Sequence, residues 1–219
     1  MATVGAVTRD GIKLVDLPSG FQYSMGDIQY DPHENFKPNG SFRLDAKTSP
    51  DFNQVNLVVA LNLGGGHDEI SGKLGGGHHS DDCPHCGRCY DFGVEQSGQR
   101  VRVRKEDPHP QTEGGPSKSI NLGDLNNKWI VLQYLKMNNT DGSVNCQVWI
   151  STSGNDSAPS NNFQQIFNET DTGNWRLAPF LSVFRPSDSV VTCRVDGMNR
   201  NIFHYKWFAA VRITGGHGE

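Results

Sequence analysis

Apolar and polar residues alternate along most of the chain with a period of two, and the alternating stretches are separated by clusters of Gly, Pro, Asn and Asp. Side chains on a strand point to opposite faces in turn, so this pattern predicts many short β-strands. Ser41–Lys47 sets Phe42, Leu44 and Ala46 against Ser41, Arg43 and Asp45. Val55–Leu63 is mostly apolar and reads as a strand buried on both faces. Phe203–Ile213 places Phe203, Tyr205, Trp207, Ala209, Val211 and Ile213 on one face, with His204, Lys206 and Arg212 on the other. About eleven such segments can be counted by this criterion. The best helical candidate is a turn or two over Asn161–Asn168. The expected fold class is therefore all-β: a two-sheet antiparallel β-sandwich of the jelly-roll kind, forming one domain over residues 1–219.

Two hairpins acquire a register from their turns. A tight turn at Ser97–Gly98 pairs Val94 with Val101 and Phe92 with Val103 on one face, and Glu95 with Arg100 and Asp91 with Arg104 on the other. The same count sets Cys89 opposite Glu106 and Arg102 opposite Gly93, leaving Arg102 without an acidic partner. A two-residue turn at Asp141–Gly142 sets Met137 against Cys146 and Leu135 against Val148 on the core side. Its opposite face then carries Tyr134 beside Trp149 and Lys136 beside Gln147.

Residues 64–88 break the pattern. Their repeated LGGGH and the run HHSDDCPHCGRC read as one long Gly/His/Cys-rich loop. Cys83, Cys86 and Cys89 are spaced C-x2-C-x2-C, with His78 and His79 nearby, a donor set suited to a structural zinc ion. His109 emerges beside Cys89 in the hairpin register and is a further candidate ligand. A disulfide among these thiols is the competing reading in an oxidising compartment. Cys146 and Cys193 fall at core-facing positions.

Composition narrows the function classes. With 20 Lys+Arg against 24 Asp+Glu and a formal net charge of −4, the chain lacks the basic excess of a nucleic-acid binder. No apolar run is long enough to span a membrane as a helix. The first residues lack a basic-then-apolar leader, so the protein is cytoplasmic, or extracellular if a signal peptide has been removed. Arg100, Arg102 and Arg104 form a stripe whose planar forks match carboxylates, although Glu95 and Asp91 also fit Arg100 and Arg104 as plain ion pairs. Tyr134, Lys136, Gln147 and Trp149 combine rings for the apolar face of a sugar with groups that bond its hydroxyls, and His204 lies on a strand that could join them.

The strand Trp129–Tyr134 (WIVLQY), the hairpin into CQVWIS, the segment Thr192–Gly197 (TCRVDG) and the closing FHYKWFAAVRI together resemble the concanavalin A-like lectin/glucanase superfamily, which includes laminin-G-like modules and several polysaccharide lyases. The resemblance implies a jelly roll holding a polysaccharide or oligosaccharide on a concave sheet. In the lyase branch it implies β-elimination, with Tyr134, His204 or His109 as base and Arg100, Arg102, Arg104, Lys136, Gln147 and Trp149 on the substrate. The R-x-E-L-R, Q-I-H and Y-x-K-x-G-x-Y-x-Q motifs of alginate lyases and the E-x-D-x-E of the glucanases are absent. A non-catalytic carbohydrate-binding module and a self-assembling subunit locked by metal in the 64–88 loop are the alternative readings.

Overall fold

The computed structural model describes residues 6–36, 42–47, 54–63, 69–76, 89–106, 112–154, 160–175, 190–196 and 203–216. Among these there is no helix, and fourteen strands assemble into two antiparallel sheets. The first contains β1 (Phe21–Gln29), β14 (Phe203–Gly215), β4 (Val55–Leu63), β10 (Trp129–Asn138), β11 (Val144–Gly154) and β12 (Gln164–Asp171), hydrogen-bonded in that order. The second runs β2 (His33–Phe36), β3 (Phe42–Lys47), β13 (Val190–Asp196), β5 (Glu69–Gly76), β6 (Cys89–Glu95), β7 (Arg100–Glu106) and β8 (Thr112–Glu113), with β9 (Ser117–Ser119) also on β7. This is the two-sheet sandwich that the alternation predicts.

The core lies between the sheets. Leu57, Val59, Ile130, Leu132, Val148 and Ile150 from one sheet meet Leu44, Ile70, Phe92, Val94, Val103 and Cys193 from the other, all fully or almost fully buried. As β4 promised, its other face is buried too. Val58 and Ala60 join Val131, Ala209 and Val211 beneath the segment carrying Ile12 and Leu14. Residues 6–17 thus form a strap over the outer face of the six-stranded sheet, pinned by side chain to main chain. Gln133 accepts from the Val15 amide (3.2 Å) and donates to the Lys13 carbonyl (2.9 Å), and Tyr23 Oη donates to the Val15 carbonyl (2.8 Å).

Four expectations change. The segment Asn161–Asn168 is not helical, because Gln164–Asp171 forms edge strand β12 on β11. Part of the expected long loop is strand β5, in which Ile70 and Leu74 enter the core. Its glycines read as loop residues but make room for side chains from the other sheet. A Cβ on Gly72 would lie 2.5 Å from Tyr134 Cδ2, and Gly75 has φ +68° with the Lys136 chain against it. In β14 a bulge between Tyr205 and Trp207 splits the single face expected there. Tyr205 packs on the inter-sheet core, while Trp207, Ala209 and Val211 face the strap.

The fourth change is the β10–β11 register. Tyr134 stands opposite Val148 and Lys136 opposite Cys146, one residue from the expected pairing. The Asp141–Gly142 pair does not form a two-residue turn. Asn139 N–H bonds the Ser143 carbonyl, Gly142 N–H bonds the Asn139 carbonyl, and Gly142 takes φ +86°. That is a three-residue loop with its glycine in the left-handed position, stabilised by Asp141 Oδ1 accepting from Ser143 N–H at 2.9 Å. A one-residue slip turns every side chain over, so Tyr134 and Lys136 point inward. The β6–β7 register is as expected throughout, from Cys89 opposite Glu106 to Val94 opposite Val101.

Candidate functional site

The outer face of the eight-stranded sheet is polar across five strands. One row runs Arg43, Arg194, Ser71, Gly93, Arg102 over β3, β13, β5, β6 and β7. The next runs Asp45, Thr192, Lys73, Asp91, Arg104. Beyond them lie Asp196 and Glu69 on one side and Cys89 with Glu106 on the other. A solvated sheet face leaves such groups in water, yet Lys73, Asp91, Glu106 and Ser71 are each under 5% exposed. Burial of ionisable groups is expensive unless each finds a partner, so the pairing is informative.

Arg102 is not free, contrary to expectation. Gly93 opposite it leaves a gap, and Glu69 from β5 fills that gap. A Cβ on Gly93 would stand 2.6 Å from the Glu69 carboxyl carbon. Arg102 donates from Nε and Nη2 to the two Glu69 oxygens, both at 2.6 Å, a bidentate fork. Burial pushes the Glu69 carboxyl up, but the Arg102 bonds and charge outweigh it and hold the group below the usual glutamate range. Lys73 reaches past β6 to both oxygens of Glu106, at 2.7 and 2.8 Å. Arg104 Nε donates to Asp91 Oδ2 at 2.6 Å, and Arg100 pairs with Glu95 as the hairpin register predicts. Arg43 and Arg194 stand opposite each other. Burial, then the Arg194 charge, lower the Arg43 guanidinium's affinity for its proton, and Arg194 is steadied by Asp196 at 2.6 Å.

The layering of these pairs has a direction. The acids lie deep, Asp91 at 2% and Glu69 at 12% side-chain exposure, whereas Arg102 and Arg104 retain 26% and 28% and Arg100 54%. Along β7 the face therefore offers guanidinium donors outward over carboxylates, whereas at the other end Arg194 lies deeper than Asp196 and Arg43 is buried. Cys89 belongs to the same face, buried with its thiol 3.5 Å from Glu106 Oε2. Burial raises its pKa well above the ordinary thiol value.

The other expected site residues scatter. Tyr134 and Lys136 are wholly buried between the sheets, a correction that follows from the register. The Tyr134 hydroxyl donates to the Ile70 carbonyl at 3.0 Å, and burial pushes its pKa well above the ordinary tyrosine value. Lys136 Nζ donates to Asn138 Oδ1 at 3.0 Å. Nearby, Lys105 pairs with the fully buried Asp171, whose Oδ2 also accepts from Tyr90 Oη at 2.7 Å. Gln147 and Trp149 do stand together, on the outer face of the six-stranded sheet, where the indole N–H donates to Gln147 Oε1 at 2.9 Å. Gln165 donates to that same oxygen at 3.0 Å, and Asn145 bonds Asn168 and Gln147, giving an uncharged amide surface beside a partly buried ring. His204 is exposed on β14, distant in strand order from Trp149. His78, His79, Cys83, Cys86 and His109 lie outside the described residues, and among those described no group of three or more His, Cys, Asp or Glu could hold a metal ion.

Sequence reasoning missed Glu69, Ser71 and Lys73, which fell inside the expected loop. The signal was present in EISGKL, where three polar residues alternate with Ile70, Gly72 and Leu74.

No protein-family model matches the chain, and no curated protein does. Among solved structures, the chain is similar to the carbohydrate binding module CBM66 from Bacillus subtilis (TM-score 0.41, 10% identity, 85% of this chain and 92% of that one). It is also similar to the mannose- and calcium-bound exoplasmic/lumenal domain of VIP36 (0.48, 9%, 88% and 84%) and to a family 16 glycoside hydrolase from Bacteroides ovatus (0.44, 10%, 96% and 86%).

Proposed function

We propose that the protein binds a polysaccharide along the polar outer face of the eight-stranded sheet. The observation that carries this reading is the layering just described: a row of partly exposed guanidiniums on β7 set over buried carboxylates of β5 and β6, at one end of a polar face five strands wide. Hydroxyl groups are donors and acceptors at once, and a lattice of fixed donors and acceptors suits a polyhydroxylated chain. The Arg stripe serves here as a donor row rather than as free cations awaiting a uronate, since Arg100, Arg102 and Arg104 each hold an acid.

Binding without cleavage is the reading we favour. The inward turn of Tyr134 takes one of the three candidate bases away from the polar face. The Trp149 amide surface supports a second location for the same activity, because an indole beside uncharged amides suits a neutral sugar. Affinity electrophoresis through gels containing neutral and carboxylated polysaccharides separates the two locations. Retention lost in Arg104→Gln and kept in Trp149→Ala is the expected result; the reverse moves binding to the amide surface. A wild-type chain retained by none of them overturns the proposal. Ultraviolet absorbance that rises on incubation with uronate polymers would reinstate β-elimination.

A further inference from the structure

Of the acids on the polar face, Glu69, Asp91 and Glu106 are buried, and they are not treated alike. Glu69 commits both oxygens to Arg102, and Glu106 commits both to Lys73. Asp91 commits one. Its Oδ2 takes Arg104 Nε at 2.6 Å, while its Oδ1 is buried and has no hydrogen-bond partner among the described residues. The shortfall is built by the neighbours. Lys73 stands directly opposite Asp91 across β5 and β6, yet its ammonium passes on to Glu106. Gly93, two residues along on the same face, offers no side chain, and the space above it holds Glu69, another acceptor. A carboxylate oxygen with no donor, in a side chain 2% exposed, costs stability.

We propose that Asp91 is the ligand-reading carboxylate of this face: its free Oδ1 accepts from one hydroxyl of a sugar diol, while the terminal amino groups of Arg104 donate to the neighbouring oxygen. This rests on the carbohydrate reading above and names the residue that selects within it. Partly exposed Arg104 bonds Asp91 directly, so a ligand that engages the guanidinium is held one side chain from the carboxylate. A diol supplies the donor that the folded chain withholds. Groups reserved for a ligand are paid for in stability before it arrives.

The test is Asp91→Asn in the full chain, with Arg102→Gln as the structural comparison. Two quantities are read: the urea unfolding midpoint without glycan, and retention on the polysaccharide gel that holds the wild type. Asp91→Asn should leave the midpoint unchanged or raise it, because the uncommitted charge is gone. It should weaken retention by about tenfold or more, the loss expected for one charge-assisted hydrogen bond. Arg102→Gln should lower the midpoint by stranding Glu69. If Asp91→Asn lowers the midpoint as far as Arg102→Gln, Asp91 is an ordinary structural ion pair and the proposal fails. Undiminished retention with a stable variant also overturns it. Where the wild type is retained by no polysaccharide, the carbohydrate reading falls by itself. The midpoint still decides Asp91: a gain keeps it as a reserved group for another hydroxylated ligand, and a loss removes it.

Discussion

At Gly72 an aromatic side chain of one sheet presses on the backbone of the other, and Gly72→Ala measures that pressure. The added methyl would lie 2.5, 2.9 and 3.0 Å from Cδ2, Cγ and Cε2 of Tyr134. Comfortable carbon–carbon contact is about 3.5–4.0 Å, so the overlap approaches about 1 Å over half the ring. The ring has little freedom to retreat. Its hydroxyl is tied to the Ile70 carbonyl at 3.0 Å, and the Phe92 ring stands 5.7 Å away, centroid to centroid, within the same core. Overpacking of this kind costs about 1–3 kcal/mol, and removing a strand glycine returns roughly 0.5–1 kcal/mol. A net loss of about 1–2 kcal/mol should appear in urea unfolding, with Tm lower by roughly 2–8 °C for a chain of this size. Tyr134→Leu removes the clashing edge, so the glycine substitution should cost little on that background and the pair should couple by about 1 kcal/mol or more. Tyr134→Phe keeps the ring and should not rescue. A Gly72→Ala chain as stable as wild type, or a penalty unchanged by Tyr134→Leu, would refute the idea that this glycine exists to admit the tyrosine.

Three other outcomes follow from the same geometry. Lys105→Met should destabilise by about 3–5 kcal/mol in denaturant titration, because Asp171 is left charged and fully buried, and Lys105→Met/Asp171→Leu should recover much of that loss. Glu69, held below the usual glutamate range in the folded state, contributes stability that is present above the ordinary glutamate pKa and lost as pH falls through its own lower value. Arg102→Gln should therefore move the acid limb of the stability–pH curve to higher pH, as urea midpoints between neutral and acid pH will report. Gln133→Ala should unfasten the strap by stranding the Val15 amide and the Lys13 carbonyl, at a cost of about 2–4 kcal/mol, read as faster hydrogen exchange at Val15 with β4 and β10 still protected.

How legible all this was depended on whether local chemistry or the opposite sheet decided each residue. The β6–β7 hairpin could be read completely, because valines and phenylalanine sorted to one side and acid–base pairs to the other, so any slip would have mixed them. In β10–β11 the sorting was ambiguous. Tyr134 and Lys136 are as plausible on a sugar-binding face as Leu135 and Met137 are in a core, and only the three-residue loop geometry fixes which pair turns inward. Lys136 and Lys105 are misleading in the sequence because their partners, Asn138 apart, arrive from distant strands or the other sheet. The same holds for Glu69, whose role appears only when Gly93 is seen as the space it fills. Of the candidate site, the Arg row and its Glu95 and Asp91 partners were visible from the hairpin register; Glu69, the partner of Arg102, was hidden in a segment whose glycines mimic a loop.

The strap has a consequence for the order in which the molecule is made. Residues 6–17 leave the ribosome well before the side chains that hold them: Gln133 for Val15, and Asn161, whose Oδ1 accepts from the Lys13 amide at 2.8 Å across 148 positions of sequence. Strand β1 waits longer still, since Phe21 pairs with Gly215 at the far end of β14. During synthesis Ile12, Leu14 and the apolar side of β1 therefore have no native surface to cover, and their docking is confined to the last stage of assembly. Contacts this remote make folding slow, and they make the strap the natural place for the fold to open first.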